Sequence, residues 1–574
     1  MTPAFDINSI DLQAIRHRPT RAIVAALLAL LEECQGALRA SLERVLQLEA
    51  EICRLKGEHP RLPRNRDKDR AKKDDAPPPS DQAGQAPEME KKPKNYSSEA
   101  ERQEKKERKK ASKRNSIGID RRQDVPLDRS GLPPGLVRDG IVRTVVQDIL
   151  FRRDNVEFVR EKWRCPVTGK TYLAPLPPGY RGGFGPSLRS FGLDLAYGSN
   201  VTFEKVHGLL TRHGIDISSG KVSSLLTRDL GPLTEDREQV LRAGLDSSPW
   251  QQLDVTSTPV GKVSLSCHTL CNPLYSYFQT TAGQDRAAIL ATLWGSHGPR
   301  YRLNESVHQQ LAAKRIGHNV RAQLRRMPQE HDWSAAEFVD ALACGAPDLG
   351  KAAREILWDA GGIAAYQAAE DWRPVQCLLC DDAGAFHLVT PEQQLCWVHT
   401  ARHYTLLNPG YKGFRNEVQA FRTKLWAYYR RLAEYRKNPR RSQARRLSRE
   451  FDKLFAPGKR WKPLEDLIAR TRANKDKLLL VLKHPELPLH NNACELAVRV
   501  RVIKRRVSHG PKTPGGAKAW DTFHTLSATA AKLGINFSCW LDKRLRGDPS
   551  AENLAELIRD RARVMKLGRS WVTT

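Results

Sequence analysis

The sequence contains no apolar run of the roughly 18 residues that a membrane-spanning helix requires. The nearest approach, AIVAALLALL at residues 22–31, follows Arg16, Arg18 and Arg21 like the core of a signal peptide. It continues into LEECQGALRASLERVLQLEAEICRLK without a small-residue cleavage site, so neither a membrane nor secretion is expected. Cysteine is sparse for a disulfide scaffold: eleven are scattered over 574 residues, which suits a reducing cytoplasm. Acid is short relative to base, with 65 Asp and Glu against 95 Lys and Arg and a formal charge of +30. Such an excess calls for an acidic partner, and a nucleic acid, in a nucleoid-associated protein, is the usual one.

What is present divides the chain. Its length suggests about three or four folding units at roughly 150 residues each. Leu31, Cys34, Leu38, Ser41, Val45, Leu48, Ile52 and Leu55 alternate in steps of three and four, the seam of an N-terminal coiled coil (1–56) that would pair two chains. Residues 57–116 are charged, proline-containing and nearly free of large apolar side chains, the composition of a disordered basic linker. Residues 117–180 hold a small β-rich module. Its CPVTGK begins like a zinc knuckle but lacks the second cysteine, so no structural zinc is expected there. Within 181–245, TFEKVHGLLTRHGIDISSGKVSSLLTRDL reads as two short helices around Gly214, a helix-turn-helix that would bring Lys221, Ser223 and Ser224 to DNA. Residues 541–574 form a helical tail.

Between them, from 246 to 540, the pattern changes to strands: WQQLDVTSTPV, KVSLSCHTL and LYSYFQTT, joined by short turns as in an antiparallel meander. A mostly helical stretch (about 285–372) leads to a fourth, buried strand in VQCLLCDDAGAF. Three acids take special places on this frame. Asp254 lies inside the first strand, Asp381 and Asp382 end the fourth, and Glu495 stands one turn into a helix that opens with His490-Asn491-Asn492. Singly, each has a plainer reading, as a strand-edge polar residue, a pair of turn formers, or an i,i+4 partner of Arg499. Together they are in the order of a ribonuclease-H-like fold, in which the first and fourth strands are neighbours. Clustered carboxylates repel one another, and divalent cations with a preference for hard oxygen relieve the repulsion.

These blocks resemble a DDE transposase of a bacterial insertion sequence, of the insertion-sequence-sixty-six family. The resemblance is carried by LDVTSTPV around Asp254, LLCDDAGAF at Asp381, CWVHTARHY at Cys396 to Tyr404, and LPLHNNACELAVRVRVIKRRVSHGPKTPGGA around Glu495. It implies a multidomain α/β and α protein, with a ribonuclease-H-like catalytic domain interrupted by a helical insertion at about 405–485. Asp254, Asp381 and Glu495 would hold two Mg²⁺ ions (Mn²⁺ substituting), with Asp382 the alternative second acid. Arg402, Arg499, Lys504, Arg505 and Arg506 would grip DNA, with His399 and Arg402 approaching DNA or supporting the acids. The implied partners are the element's terminal inverted repeats, target DNA and a second copy or more of the chain. A related metal-dependent nuclease, or a DNA-binding protein that has lost catalysis, are the alternatives. One rival remains in the spacing: Cys377, Cys380, Cys396 and His399 read C-x2-C-x15-C-x2-H, but a strand would turn the first two to opposite faces.

Overall fold

A computed structural model of the chain describes residues 17, 20, 22–30, 118–128, 132, 140–180 and 183–571. The expected coiled-coil seam at 31–55 and the basic linker at 57–116 lie outside the described residues. The described residues divide into two units, one of 118–175 and 207–218, the other of 22–30, 176–206 and 219–571.

The smaller unit carries one antiparallel hairpin, β1 (Lys162–Arg164) and β2 (Thr171–Leu173), around the CPVTGK turn. The expected glycine turn is present, with Gly214 at φ +77°, a conformation that glycine adopts without penalty.

The larger unit opens with α1 (Pro186–Leu193). In sequence, helix α2 (Phe203–Arg212) passes from this unit into the smaller one at 207, the chain returns at α3 (Ser219–Thr227), and α4 (Gly231–Asp246) leads into the sheet. The strands are β3 (Trp250–Val260), β4 (Val263–Asn272), β5 (Tyr275–Thr281), β8 (Cys377–Cys380) and β9 (Glu392–Leu395). Their order is β5-β4-β3-β8-β9: an antiparallel meander joined, through β3 and β8, to a parallel half. The first and fourth strands of the sheet are thus hydrogen-bonded neighbours. The first strand coincides with WQQLDVTSTPV, and the second runs on past KVSLSCHTL through Cys271 and Asn272. Gly261, at φ +59°, turns β3 into β4.

The crossover from β5 to β8 is made of α5 (Arg286–Trp294), α6 (Glu305–Ala313), α7 (His318–Arg326), α8 (Ala335–Gly345) and α9 (Lys351–Gln367), with a two-residue pairing of β6 (Arg300–Tyr301) and β7 (Trp333–Ser334). These helices close on their own core around Tyr301, Trp333, Phe338 and Leu357. After β9 come α10 (Trp397–Leu406), α11 (Lys412–Lys437), α12 (Arg441–Leu454) and α13 (Lys462–Ala473). They share an aromatic core with Trp397, Tyr404, Phe421, Tyr428 and Phe451, and Leu28 of the helical stretch 22–30 packs into it.

The chain ends in α14 (Asn492–Ser508), α15 (Pro514–Lys532), α16 (Phe537–Arg546) and α17 (Leu554–Met565). Helix α15 lies along β5. Four helical residues rise about 6 Å and two strand residues about 6.8 Å, so side chains four apart on the helix meet backbone groups two apart on the strand. Asp521 accepts the Thr280 N–H (2.8 Å), Thr525 the Phe278 N–H (3.0 Å) and Thr529 the Ser276 N–H (3.2 Å). The outer backbone groups of β5 are thereby satisfied by a helix instead of another strand. Among the described residues no helix is long and apolar enough to cross a membrane.

Candidate active site

The parallel pairing of β3 with β8 sets the level of the acids. Trp250 pairs with Cys377, Gln251 with Leu378 and Gln252 with Leu379. Two residues further along stand Asp254, inside β3, and Asp381, the first residue past the end of β8. Because side chains alternate with period two, both fall in the same phase, and Asp382 falls in the opposite one.

Helix α14 is anchored to the same place by its opening residues. The Asn491 side-chain amide donates to the Leu253 carbonyl at 3.0 Å, next to Asp254, and Gln252 donates to the His490 carbonyl at 3.1 Å. The Cys494 thiol donates to the Thr269 carbonyl at 3.0 Å, and Thr269 is the β4 partner of Asp254. His490 and Asn491, which precede Glu495, therefore tie its helix to the strand that carries the first acid. A second lacing joins α14 to α10: the Trp397 N–H donates to the Leu489 carbonyl at 2.9 Å, and the Asn491 N–H donates to the Cys396 sulfur at 3.3 Å.

The charges of the acids act on Asp254. Burial pushes the half-buried Asp254 carboxyl up from the ordinary 3.8 to about 6; the Val255 N–H, bonded at 2.9 Å, opposes this, the charges of Glu495 and Asp381 raise it further, and Arg402 lowers it. Asp381 is exposed and accepts the Ala383 N–H at 3.0 Å. Asp382 is differently engaged. It accepts from Arg470 at 2.8 Å and Asn474 at 3.2 Å, both near the end of α13, and lies 3.6 Å from His387. Burial would raise its carboxyl, but the Arg470 hydrogen bond and charge, with Lys477 and His387, hold it below the usual range. A cleft of about 380 Å³ opens beside these acids, lined among others by Asp381, Asp382, Cys396, His399, Arg402 and Arg470.

The residues expected to contact DNA separate into two groups. Arg402, Arg499 and Arg506 are exposed and Arg505 is partly so. Ser223 is exposed, while Lys221 and Ser224 are partly covered, the Lys221 ammonium 5.7 Å from the Phe184 ring. Lys504 departs from the expected clamp. It is 1% exposed, its Nζ donates to the Val201 carbonyl at 2.7 Å, and it lies 5.6 Å and 5.7 Å from the rings of Tyr197 and Phe203. Burial lowers its pKa to about 8. A lysine already bonded inside the protein has no reach to a phosphate, so Lys504 holds α14 to the body of the unit.

The spacing C-x2-C-x15-C-x2-H resolves in an unforeseen way. Cys377 packs with Trp250 and Leu487, and the Cys380 sulfur accepts from Gln393. Cys396 and His399 instead meet Glu495: the imidazole Nε2 is 3.4 Å from the carboxylate Oε1, and one donor atom from each of the three lies within 4.8 Å of the others. Burial pushes the Cys396 thiol up to about 11. The signal in the sequence was a Cys-x2-His placed where a strand gives way to a helix. The third donor is more than ninety residues away and was not legible.

Asp254, Asp381 and Glu495 offer hard oxygens, two of them raising the proton affinity of the third, which is the donor chemistry that suits Mg²⁺. Residues 362–519, which carry Asp381 and Glu495, match the family described as Transposase IS66 family. An uncharacterized protein, y4jO, of Sinorhizobium fredii (strain NBRC 101917 / NGR234) is 30% identical over 316 residues, 54% of this chain and 96% of that protein. The chain belongs to the IS66 transposase family. No solved structure matches it.

Proposed function

We propose that this chain is the DNA transposase of an insertion sequence, a DDE enzyme on a ribonuclease-H-like sheet that binds the element's terminal inverted repeats and cuts and rejoins DNA. The observation that carries the reading is the common phase of Asp254 and Asp381 on parallel strands, with Glu495 close enough to raise the Asp254 pKa. Strand order, family membership and the +30 charge support it.

In this reading Asp254, Asp381 and Glu495 together would hold two Mg²⁺ ions. Such ions activate the attacking oxygen and stabilise the leaving oxygen of an in-line phosphodiester displacement. The chain's own part is placement. Gln252 and Asn491 fix the start of α14 against β3, so Glu495 faces the strand tips. Arg402 balances the acids' charge at the mouth of the cleft, and Arg499, Arg505 and Arg506 grip DNA phosphates, giving affinity without sequence choice. Two displacements follow: water attacks the phosphodiester at the element's end and frees a 3′-hydroxyl, which then attacks a phosphodiester of the target. Helices α2 and α3, with Lys221, Ser223 and Ser224, would read the repeats, and the N-terminal segment would pair protomers.

The test is a supercoiled plasmid carrying matched ends, incubated with protein and Mg²⁺. Nicking and joining by the wild type is expected, with Glu495→Gln binding the ends normally and cutting at least 100-fold more slowly, in line with the loss of a group used only in the transition state. A Glu495→Gln protein that cuts at the wild-type rate overturns the assignment. Nicking without joining means a nuclease, and specific binding without nicking means a DNA-binding protein.

A further inference from the structure

Cys396 caps α10 and His399 stands three residues on, so both belong to one face of its first turn. Glu495, in the first turn of α14, faces them, with His399 Nε2 at 3.4 Å from its Oε1. All three donors lie within 4.8 Å of one another. The other ring nitrogen, Nδ1, is buried and makes no hydrogen bond, so the imidazole lacks the orienting partner that a purely structural histidine keeps. A tetrahedral ion with zinc's bond lengths spaces its ligands about 3.3–3.8 Å apart. The trio therefore closes around such an ion with side-chain movements of about an ångström. Thiol, imidazole and carboxylate are the donors of a borderline-soft cation, unlike the all-oxygen set of the three acids. Cys396 and His399 also line the 380 Å³ cleft, which leaves a fourth position open to solvent.

We propose that Cys396, His399 and Glu495 form a separate site for Zn²⁺ or a similar thiophilic divalent cation, and that its occupation takes Glu495 away from Asp254 and Asp381. Binding exchanges the thiol proton for the ion, with no change of oxidation state. The ion and the working Mg²⁺ compete for one carboxylate, so the site acts as a metal-sensitive brake. The binding stands on the geometry alone; the brake rests on the proposed function.

Cobalt(II) is the probe, added to the metal-free full-length chain. A near-ultraviolet thiolate-to-cobalt band with the visible bands of a tetrahedral ion is expected, removed by added Zn²⁺. Because the chain has eleven cysteines, the measurement is the difference between wild type and variants. Cys396→Ser keeps an oxygen to accept the Asn491 N–H, and circular dichroism checks its fold; it and His399→Gln lose the band, and Glu495→Gln, which removes a charged ligand, weakens the binding. Substituting the exposed Cys344 and Cys539 by serine leaves the band unchanged. A band that is absent in the wild type, or that survives Cys396→Ser, overturns the proposal. In the plasmid assay, Zn²⁺ lowers nicking by the wild type and not by Cys396→Ser; equal inhibition of both overturns the brake. If the wild type does not nick in Mg²⁺ alone, it is the proposed function that fails, and the cobalt result still decides the binding.

Discussion

Asp381 and Asp382 are chemically identical neighbours, and the structure gives them different surroundings. Phase along β8 matches Asp381 to Asp254, whereas Asp382 is held by Arg470 and Asn474 of the helical insertion. Asp381→Asn is expected to abolish cleavage. Asp382→Asn is expected to keep most of it and to lower stability by no more than about 1 kcal/mol, because the Arg470 partner is half exposed; plasmid nicking and thermal unfolding of the pair decide. Asp254 gives a pH prediction. Its folded pKa of about 6 lies above the ordinary 3.8, so the native state binds the extra proton, and stability falls as pH rises through that window. The loss is about 3 kcal/mol without metal. Asp254→Asn removes it: the metal-free variant gains Tm over the wild type between pH 4 and 7, and Mg²⁺ narrows the gap. A gap that is flat with pH contradicts the burial of this carboxyl.

At the scale of elements, α14 shows what a sequence reveals and what it hides. The strands were legible because β-type runs and turn residues alternate, and residues 250–260 form the strand that the pattern announces. The helix that carries Glu495 was legible through the asparagines that open it. The cationic run after Glu495 was not, since five basic side chains look alike in one dimension. Helical periodicity turns Arg501 and Lys504, three apart, into the protein and leaves Arg499 and Arg506 in solvent. Arg501 is fully buried, 3.0 Å from Asp521 and bonded to the Thr280 hydroxyl at 2.8 Å. Removing one partner of such a pair strands a buried charge. Arg501→Ala is therefore expected to cost about 3–5 kcal/mol in chemical denaturation, whereas Arg499→Ala stays within about 0.5 kcal/mol of the wild type.

Over the whole molecule, the +30 charge becomes a salt dependence. If Arg499 and Arg506 each contact one phosphate, replacing either by alanine lowers the slope of log K against log salt by about 1 and weakens all DNA sequences alike; an unchanged slope removes that residue from the DNA path. The strands could be read from local pattern and the pairing of the first with the fourth from the likeness to a ribonuclease-H-like fold, but the meeting of α10 with α14 could not be read, because it depends on how the long crossover and insertion fold back. The bonds from Asp521, Thr525 and Thr529 to β5 have a consequence for assembly. That margin of the sheet offers no free amide ladder to a foreign chain, so copies of the chain cannot stitch themselves into a continuous sheet through it. Any assembly of copies must be built from other surfaces, which removes one route to amyloid-like growth.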